Sequence, residues 1–205
     1  MIKIGFCSVP GSGKSTLARA LAEKCRRLDS KLKNVELVQE YVRQYISKYG
    51  IPENVWEQIR IFNKQLSWEN SAINDKTELL ITDSPIFLQF AYATELVDWN
   101  DKKSALAYRD LFKMLCEVNS PPRYDILFYL KPRKEIIDDG IRAKSHISDE
   151  TWQKNMDMKL KIIFNDMFKS KKIIELNDNL SIEEYVEVAI KVINYTIEFN
   201  NNRSN

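Results

Sequence analysis

The sequence predicts an α/β protein, a five-stranded parallel sheet held between two layers of helices. Two observations predict it. Short apolar runs of strand length alternate along the 205 residues with segments of helical period, the pattern of strands joined by crossover helices. The first of these runs leads into a helix through a short glycine-rich turn, Gly11-Ser12-Gly13-Lys14-Ser15-Thr16. A chain of this length buries about 70% of its extended surface, enough for a sizeable core.

Each element has its own signal. Strand one is expected at 2–8, from the run Ile2-Lys3-Ile4-Gly5-Phe6-Cys7. Helix one runs from Lys14 to about Leu28, because Leu17, Leu21, Cys25 and Leu28 fall on one face. Strand two is Val35 to Gln39. A helix follows from Pro52 to about Asn74, with Trp56, Ile59, Phe62, Gln65, Leu66 and Trp68 as its packing stripe. Strand three is Glu78 to Thr82. Ser84-Pro85 then reads as an N-cap and a proline at the first helical position. Strands four and five are Asp125 to Leu130 and Lys172 to Leu176. Ser181-Ile182-Glu183-Glu184 is a capping box opening the last helix, whose core side carries Tyr185, Val188, Ala189, Val192, Ile193 and Thr196. With neither an internal repeat nor a long linker, residues 1–199 form one domain with a lid at about 131–148, and 200–205 a flexible, frayed tail.

Composition narrows the class. A net charge of +2 argues neither for nor against nucleic acid. No apolar run approaches the roughly 20 residues that span a membrane. The chain enters strand one directly, so no secretory leader is expected. Cys7, Cys25 and Cys116 lack metal-ligand spacing, which fits a reducing, cytoplasmic compartment. Cys7 and Cys25 read as core filler.

The glycine-rich turn is where chemistry enters. Glycines let the backbone curl so that N–H groups point at phosphate oxygens, and the helix N-terminus adds roughly half a positive charge. Gly11, Ser12, Gly13, Lys14, Ser15 and Thr16 are thus the candidate nucleotide-binding residues. Lys14 would reach the β- and γ-phosphates of ATP, and Ser15 would ligate Mg²⁺. The full Walker A spacing places glycine at position 8, where this chain has Ser8.

Two acidic residues end strands at the sheet edge where such ligands bind. Asp83 follows Leu79-Leu80-Ile81-Thr82 as in a Walker B element, holding Mg²⁺ directly or through water; the plainer alternative is an aspartate capping the next helix. Glu40, in Gln39-Glu40-Tyr41-Val42-Arg43, is placed to take a proton from an attacking hydroxyl, with Arg43 in helical reach to orient it or hold an acceptor anion. The alternative is a surface ion pair. Gln65 suits reading a base or amide edge, since an amide offers donor and acceptor together. Lys131-Pro132-Arg133-Lys134 and Asp139-Gly140-Ile141-Arg142-Ala143-Lys144 form a basic lid segment, from which Arg142 would close on the transferred group; such an arginine is worth about 10³–10⁵ in rate. His146, the lone histidine, reads as a lid-surface residue. Arg26, Arg27, Lys31 and Lys33 could touch nucleic acid, but a solvated helix end explains them too.

Gly11-Ser12-Gly13-Lys14-Ser15, Glu40-Tyr41-Val42-Arg43, Gln65, Thr82-Asp83, Tyr124-Asp125 and Asp139-Gly140-Ile141-Arg142 occur in that order over roughly residues 1–180. In this the chain resembles a branch of the P-loop kinases, the nicotinamide riboside kinase domain of bacterial NAD-metabolism regulators with its AAA-type ATPase/kinase relatives. The resemblance implies the P-loop three-layer αβα fold, with strand order 2-3-1-4-5 and a helical lid. It also implies an ATP- and Mg²⁺-dependent kinase with Lys14, Glu40, Asp83 and Arg142 catalytic. The chain departs from the riboside kinases in Glu135-Ile136-Ile137-Asp138, where they carry Trp, and in Ser84-Pro85-Ile86, where they often carry a further acid. The acceptor is therefore left as a nucleoside, a nucleotide, or a hydroxymethylated base or end in DNA. Two alternatives to a small-molecule kinase stand beside it, a polynucleotide kinase and an NTP-hydrolysing switch or scaffold.

Overall fold

The computed structural model describes residues 1–27, 32, 34–119, 123–132, 150–167, 172–176 and 180–203. The expectations for Leu28, Lys31, Lys33 and the lid segment from Arg133 onward, with Gly140, Arg142 and His146, lie outside those residues.

In chain order the elements are β1 (Ile2–Cys7), α1 (Lys14–Arg27), β2 (Val35–Val38), α2 (Tyr41–Tyr49), α3 (Val55–Ser71), β3 (Leu79–Thr82), α4 (Phe87–Ala93), α5 (Lys102–Val118), β4 (Ile126–Leu130), α6 (Glu150–Met167), β5 (Lys172–Leu176) and α7 (Ile182–Arg203). The five strands form one sheet in the order β2-β3-β1-β4-β5, and every pairing is parallel. β1 is central, so Ile4 lies level with Ile81 on one side and Ile126 on the other. Strand bounds agree with the sequence to within one residue at each end.

The side-chain alternation of a strand builds two cores from one sheet. Ile2, Ile4 and Phe6 of β1 and Ile126, Phe128 and Leu130 of β4 face the layer of α1 and α7. There Phe6 stacks on Phe128 with ring centres 5.3 Å apart. Cys7, Leu127 and Tyr129 face the opposite layer, with Phe62 of α3, Phe87 of α4, Leu111 of α5 and Phe164 of α6. A sheet covered on both faces explains why its strands read as continuous apolar runs. Cys7 and Cys25 are buried as expected, and Cys116 is exposed.

Three elements differ from their expectation. α3 spans Val55–Ser71, opened by Asn54, whose side chain accepts from the Glu57 amide. Its buried face carries Val55, Gln58, Ile61, Phe62, Gln65 and Glu69, whereas Trp56 is exposed. An apolar stripe misplaces this face because three of its members are polar. α4 begins at Phe87, not at Pro85, so Ser84 is no N-cap. The chain first turns through 83–86, with Leu88 donating its amide to the Pro85 carbonyl at 3.0 Å. The ring of Pro85 packs over Gly5 of β1, where a Cβ would collide with it, and this contact holds the turn in place. α7 continues to Arg203, so residues 200–203 of the expected tail are helical. Its capping box is formed as expected, the Ser181 amide donating to Glu184 at 2.8 Å and the Glu184 amide to the Ser181 hydroxyl at 3.2 Å. Among the described residues no helix is long and apolar enough to cross a membrane.

Candidate phosphate-binding and acidic site

The site lies at the carboxyl ends of β1, β2 and β3. The β1–α1 loop turns at Gly11 (φ 77°) and Gly13 (φ 93°), in the left-handed region that glycine enters without cost. Among the described residues no non-glycine has positive φ. Ser8 therefore meets no backbone strain, and the departure from the glycine of the full motif is a change of side chain only. Ser8 and Ser12 are buried, with hydroxyls that have no protein partner. Lys14 is buried too, and its ammonium donates to the carbonyls of Ser8 at 3.1 Å and Val9 at 2.9 Å, folding back across the loop it follows. Ser15 is half-buried and Thr16 exposed.

The two acidic residues converge there. Glu40 ends the segment after β2 and is 3% exposed; Asp83, directly after β3, is 4% exposed. Their charges interact: burial pushes the Asp83 carboxyl above its ordinary range and the neighbouring Glu40 adds to the rise, while the Ser15 hydroxyl, Lys14 and Arg43 act in the opposite direction. Arg43 joins the parts. Its Nε lies 3.4 Å from Glu40 Oε2, and its Nη2 donates to the Ser15 hydroxyl at 3.3 Å. Ser15 in turn hydrogen-bonds Asp83. A buried carboxylate with a half-buried arginine is no surface ion pair, and Asp83 caps no helix. A small cleft between Ser15, Leu37, Gln39, Arg43 and Asp83 opens beside them.

Gln65 sits behind Glu40 and is fully buried. It accepts the Tyr41 amide at 2.8 Å and donates to the Gln39 carbonyl at 3.2 Å. Its amide is thus engaged with the backbone on both sides of Glu40, a role that residue type alone did not suggest. Arg26 and Arg27 do not join the site. They end α1, about 20 Å along the helix from the phosphate loop. Arg26 donates to the Val35 carbonyl at 3.1 and 2.8 Å, and Arg27 extends into solvent beside Glu23.

Two features of this arrangement suit Mg²⁺. Asp83 Oδ1 is buried without a hydrogen-bond partner, and the Ser15 hydroxyl stands beside the same carboxylate. Buried carboxylate oxygens are ordinarily satisfied, so an unpartnered one marks a position for a cation or its water. Among the described residues no group of three or more His, Cys, Asp or Glu could hold a metal.

Sequence reasoning missed Glu69 and Arg123. Glu69 is buried near the end of α3, and Arg123, just before β4, lies 2.7 Å from its Oε2. The available signal was the i, i+4 spacing of Gln65 and Glu69 on one helix.

Comparison with known proteins gives the same picture. A family model described as an AAA domain matches residues 7–184. No curated protein matches the sequence. Among solved structures, the NadR protein in complex with NAD and AMP-PNP is similar at a TM-score of 0.70 and 16% identity, over 95% of this chain and 49% of that one. The chain thus spans about half the length of NadR. Deoxyadenosine kinase from M. mycoides with bound dATP is similar at 0.60 and 16% identity, over 95% and 100% of the two chains. Thymidylate kinase from Ehrlichia chaffeensis follows at 0.59 and 18% identity, over 94% and 98%. These likenesses establish the fold, that of the P-loop nucleoside and nucleotide kinases. Because the family match runs over residues 7–184, from the last residue of β1 through the phosphate loop and the two acids to β5, the chain belongs to the AAA domain family.

Proposed function

We propose that this chain is an ATP-dependent phosphotransferase that passes the γ-phosphoryl group to a hydroxyl, or a phosphate, of a nucleoside- or nucleotide-like acceptor. The observation that carries the reading is the second buried carboxylate. A phosphate loop with one acid suffices to hold Mg·ATP, but Glu40, buried beside Asp83 and braced by Arg43, adds a base where an acceptor would stand. The ligands bound in similar structures, AMP-PNP and dATP, support a nucleotide at this loop.

Lys14 leaves the loop carbonyls it now holds to meet the β- and γ-phosphates, while the loop amides cradle them. Ser15 and Asp83 would hold Mg²⁺, which would supply charge neutralisation at the phosphates. Glu40 accepts the acceptor hydroxyl's proton as that oxygen bonds to the γ-phosphorus and the bond to ADP breaks. Arg43, its Nε 3.4 Å from Glu40 Oε2, keeps Glu40 aimed. Arg142, outside the described residues, remains the candidate for closing from the lid.

The test incubates the protein with γ-labelled ATP and a panel of nicotinamide riboside, nucleosides, deoxynucleotides and DNA oligomers. Label is expected on a nucleoside or nucleotide, and to be lost in Lys14→Ala and Asp83→Asn. Full transfer in both variants would overturn the reading. Label on oligomers alone, weakening steeply with salt, would make it a polynucleotide kinase. Phosphate release with no labelled acceptor would make it a switch.

A further inference from the structure

One turn beyond Gln65 on α3, Glu69 is completely buried and gathers donors from three parts of the chain. Its Oε2 accepts from Arg123 Nε at 2.7 Å. Its Oε1 accepts from the Tyr124 hydroxyl at 2.9 Å and from the Thr82 hydroxyl at 3.2 Å. The same Tyr124 hydroxyl accepts the Ile86 amide at 2.9 Å. Arg123 also donates to Asn70 at 2.7 Å, tying it to the end of α3. Thr82 precedes, and Ile86 ends, the four-residue turn 83–86 that carries Asp83. One carboxylate therefore holds that turn at both ends, directly at Thr82 and through Tyr124 at Ile86. Pro85, pressed over Gly5, fixes it in the middle.

This is an expensive way to fill a core. A charged group taken out of water loses its hydration, and an apolar side chain of similar volume packs as well or better. An apolar side chain, however, cannot bind a hydroxyl from β3, a guanidinium and a phenol at once. The geometry points to Glu69 and Tyr124 as positioning residues for Asp83: they set where its carboxylate stands at the phosphate loop, as Gln65 sets the backbone around Glu40. Both act from outside the site, since neither is at the cleft. The inference rests on the reading of Asp83 as a holder of Mg²⁺.

The test reads metal-assisted nucleotide binding, which needs no acceptor. The full chain is titrated with Mg²⁺ in the presence of a fluorescent N-methylanthraniloyl ATP, and melting temperatures are recorded in parallel. Tyr124→Phe keeps the ring and removes the hydroxyl that links Glu69 to Ile86. It is expected to raise the Mg²⁺ concentration for half-maximal binding about ten-fold, the usual scale for groups that orient metal ligands, while metal-free binding stays within two-fold. Thr82→Val cuts the other link and should act in the same direction, whereas Thr82→Ser retains the hydroxyl and should restore the wild-type titration. Phe128→Leu, a core change in the opposite layer, should lower the melting temperature and leave the Mg²⁺ titration alone.

If Tyr124→Phe and Thr82→Val shift the titration no more than Phe128→Leu does, Glu69 only stabilises the core and the inference is overturned. If the wild type binds the analogue without regard to Mg²⁺, or Asp83→Asn leaves the titration unchanged, the reading of Asp83 itself fails. The two failures are separate results.

Discussion

At the scale of single residues, the proposed chemistry rests on a few buried polar groups whose neighbours are fixed. Glu40 is the sharpest case. If it takes the acceptor's proton, Glu40→Gln keeps the shape and removes the base. kcat should fall by about 10²–10⁴, while the affinity for the fluorescent ATP analogue stays within two-fold. An equal loss of nucleotide binding would instead make Glu40 part of the nucleotide site. The motif residues from Gly11 to Thr16, with Glu40 and Asp83, were legible in the sequence because a phosphate cradle has fixed spacing and because strand ends can be located from apolar runs. Gln65 was legible as a notable residue but not in its role. A glutamine's partners depend on which backbone groups lie opposite it, and Gln39 and Tyr41 are 26 and 24 residues away along the chain.

At the scale of elements, the turn between β3 and α4 shows how far local signals reach. Ser84-Pro85 looks like a helix start, yet the helix waits until Phe87 because Pro85 is held over β1 and the Ile86 amide by Tyr124. Gly5 matters here for its missing side chain. Gly5→Ala drives a methyl into the Pro85 ring, which as part of a rigid turn has nowhere easy to go. The variant should lose about 1–3 kcal/mol of stability, the range for overpacking a core, and lose transfer activity along with it; urea unfolding and the labelling assay measure the two. The start of α7 makes a contrasting pair, since its cap is wholly local and was read correctly. The Glu184 carboxyl sits below its ordinary value of 4.5, chiefly because it accepts the Ser181 amide. A lowered carboxyl stabilises the folded chain fully above that ordinary value, and the effect is lost as the pH falls below it and through the lowered value of the folded state. Glu184→Gln should therefore melt below the wild type at pH 7, and the gap should close as the solution is acidified.

At the scale of the whole molecule, one central strand connects everything: β1 supplies both cores, the phosphate loop and the glycine under Pro85. Ligand binding at its end should stabilise the whole domain. At a concentration 100 times its Kd, Mg·ATP adds about 2.7 kcal/mol, which for a chain of this size raises the melting temperature by roughly 5–10 °C. Calorimetry checks this, and Lys14→Ala should abolish most of the shift. The sequence by itself determined the layered α/β class, the strands to within a residue at each end, the phosphate loop and the two acids, because each is written in local spacing and strand-end position. Only the tertiary structure decided that Ser8 is unstrained, that Gln65 bonds the backbone on both sides of Glu40, that Glu69 gathers the side chains of Thr82, Arg123 and Tyr124, and that the arginines ending α1 stand apart from the site. Those outcomes depend on which groups meet across elements far apart in the chain, and a buried polar residue takes its role from the partners that packing brings to it.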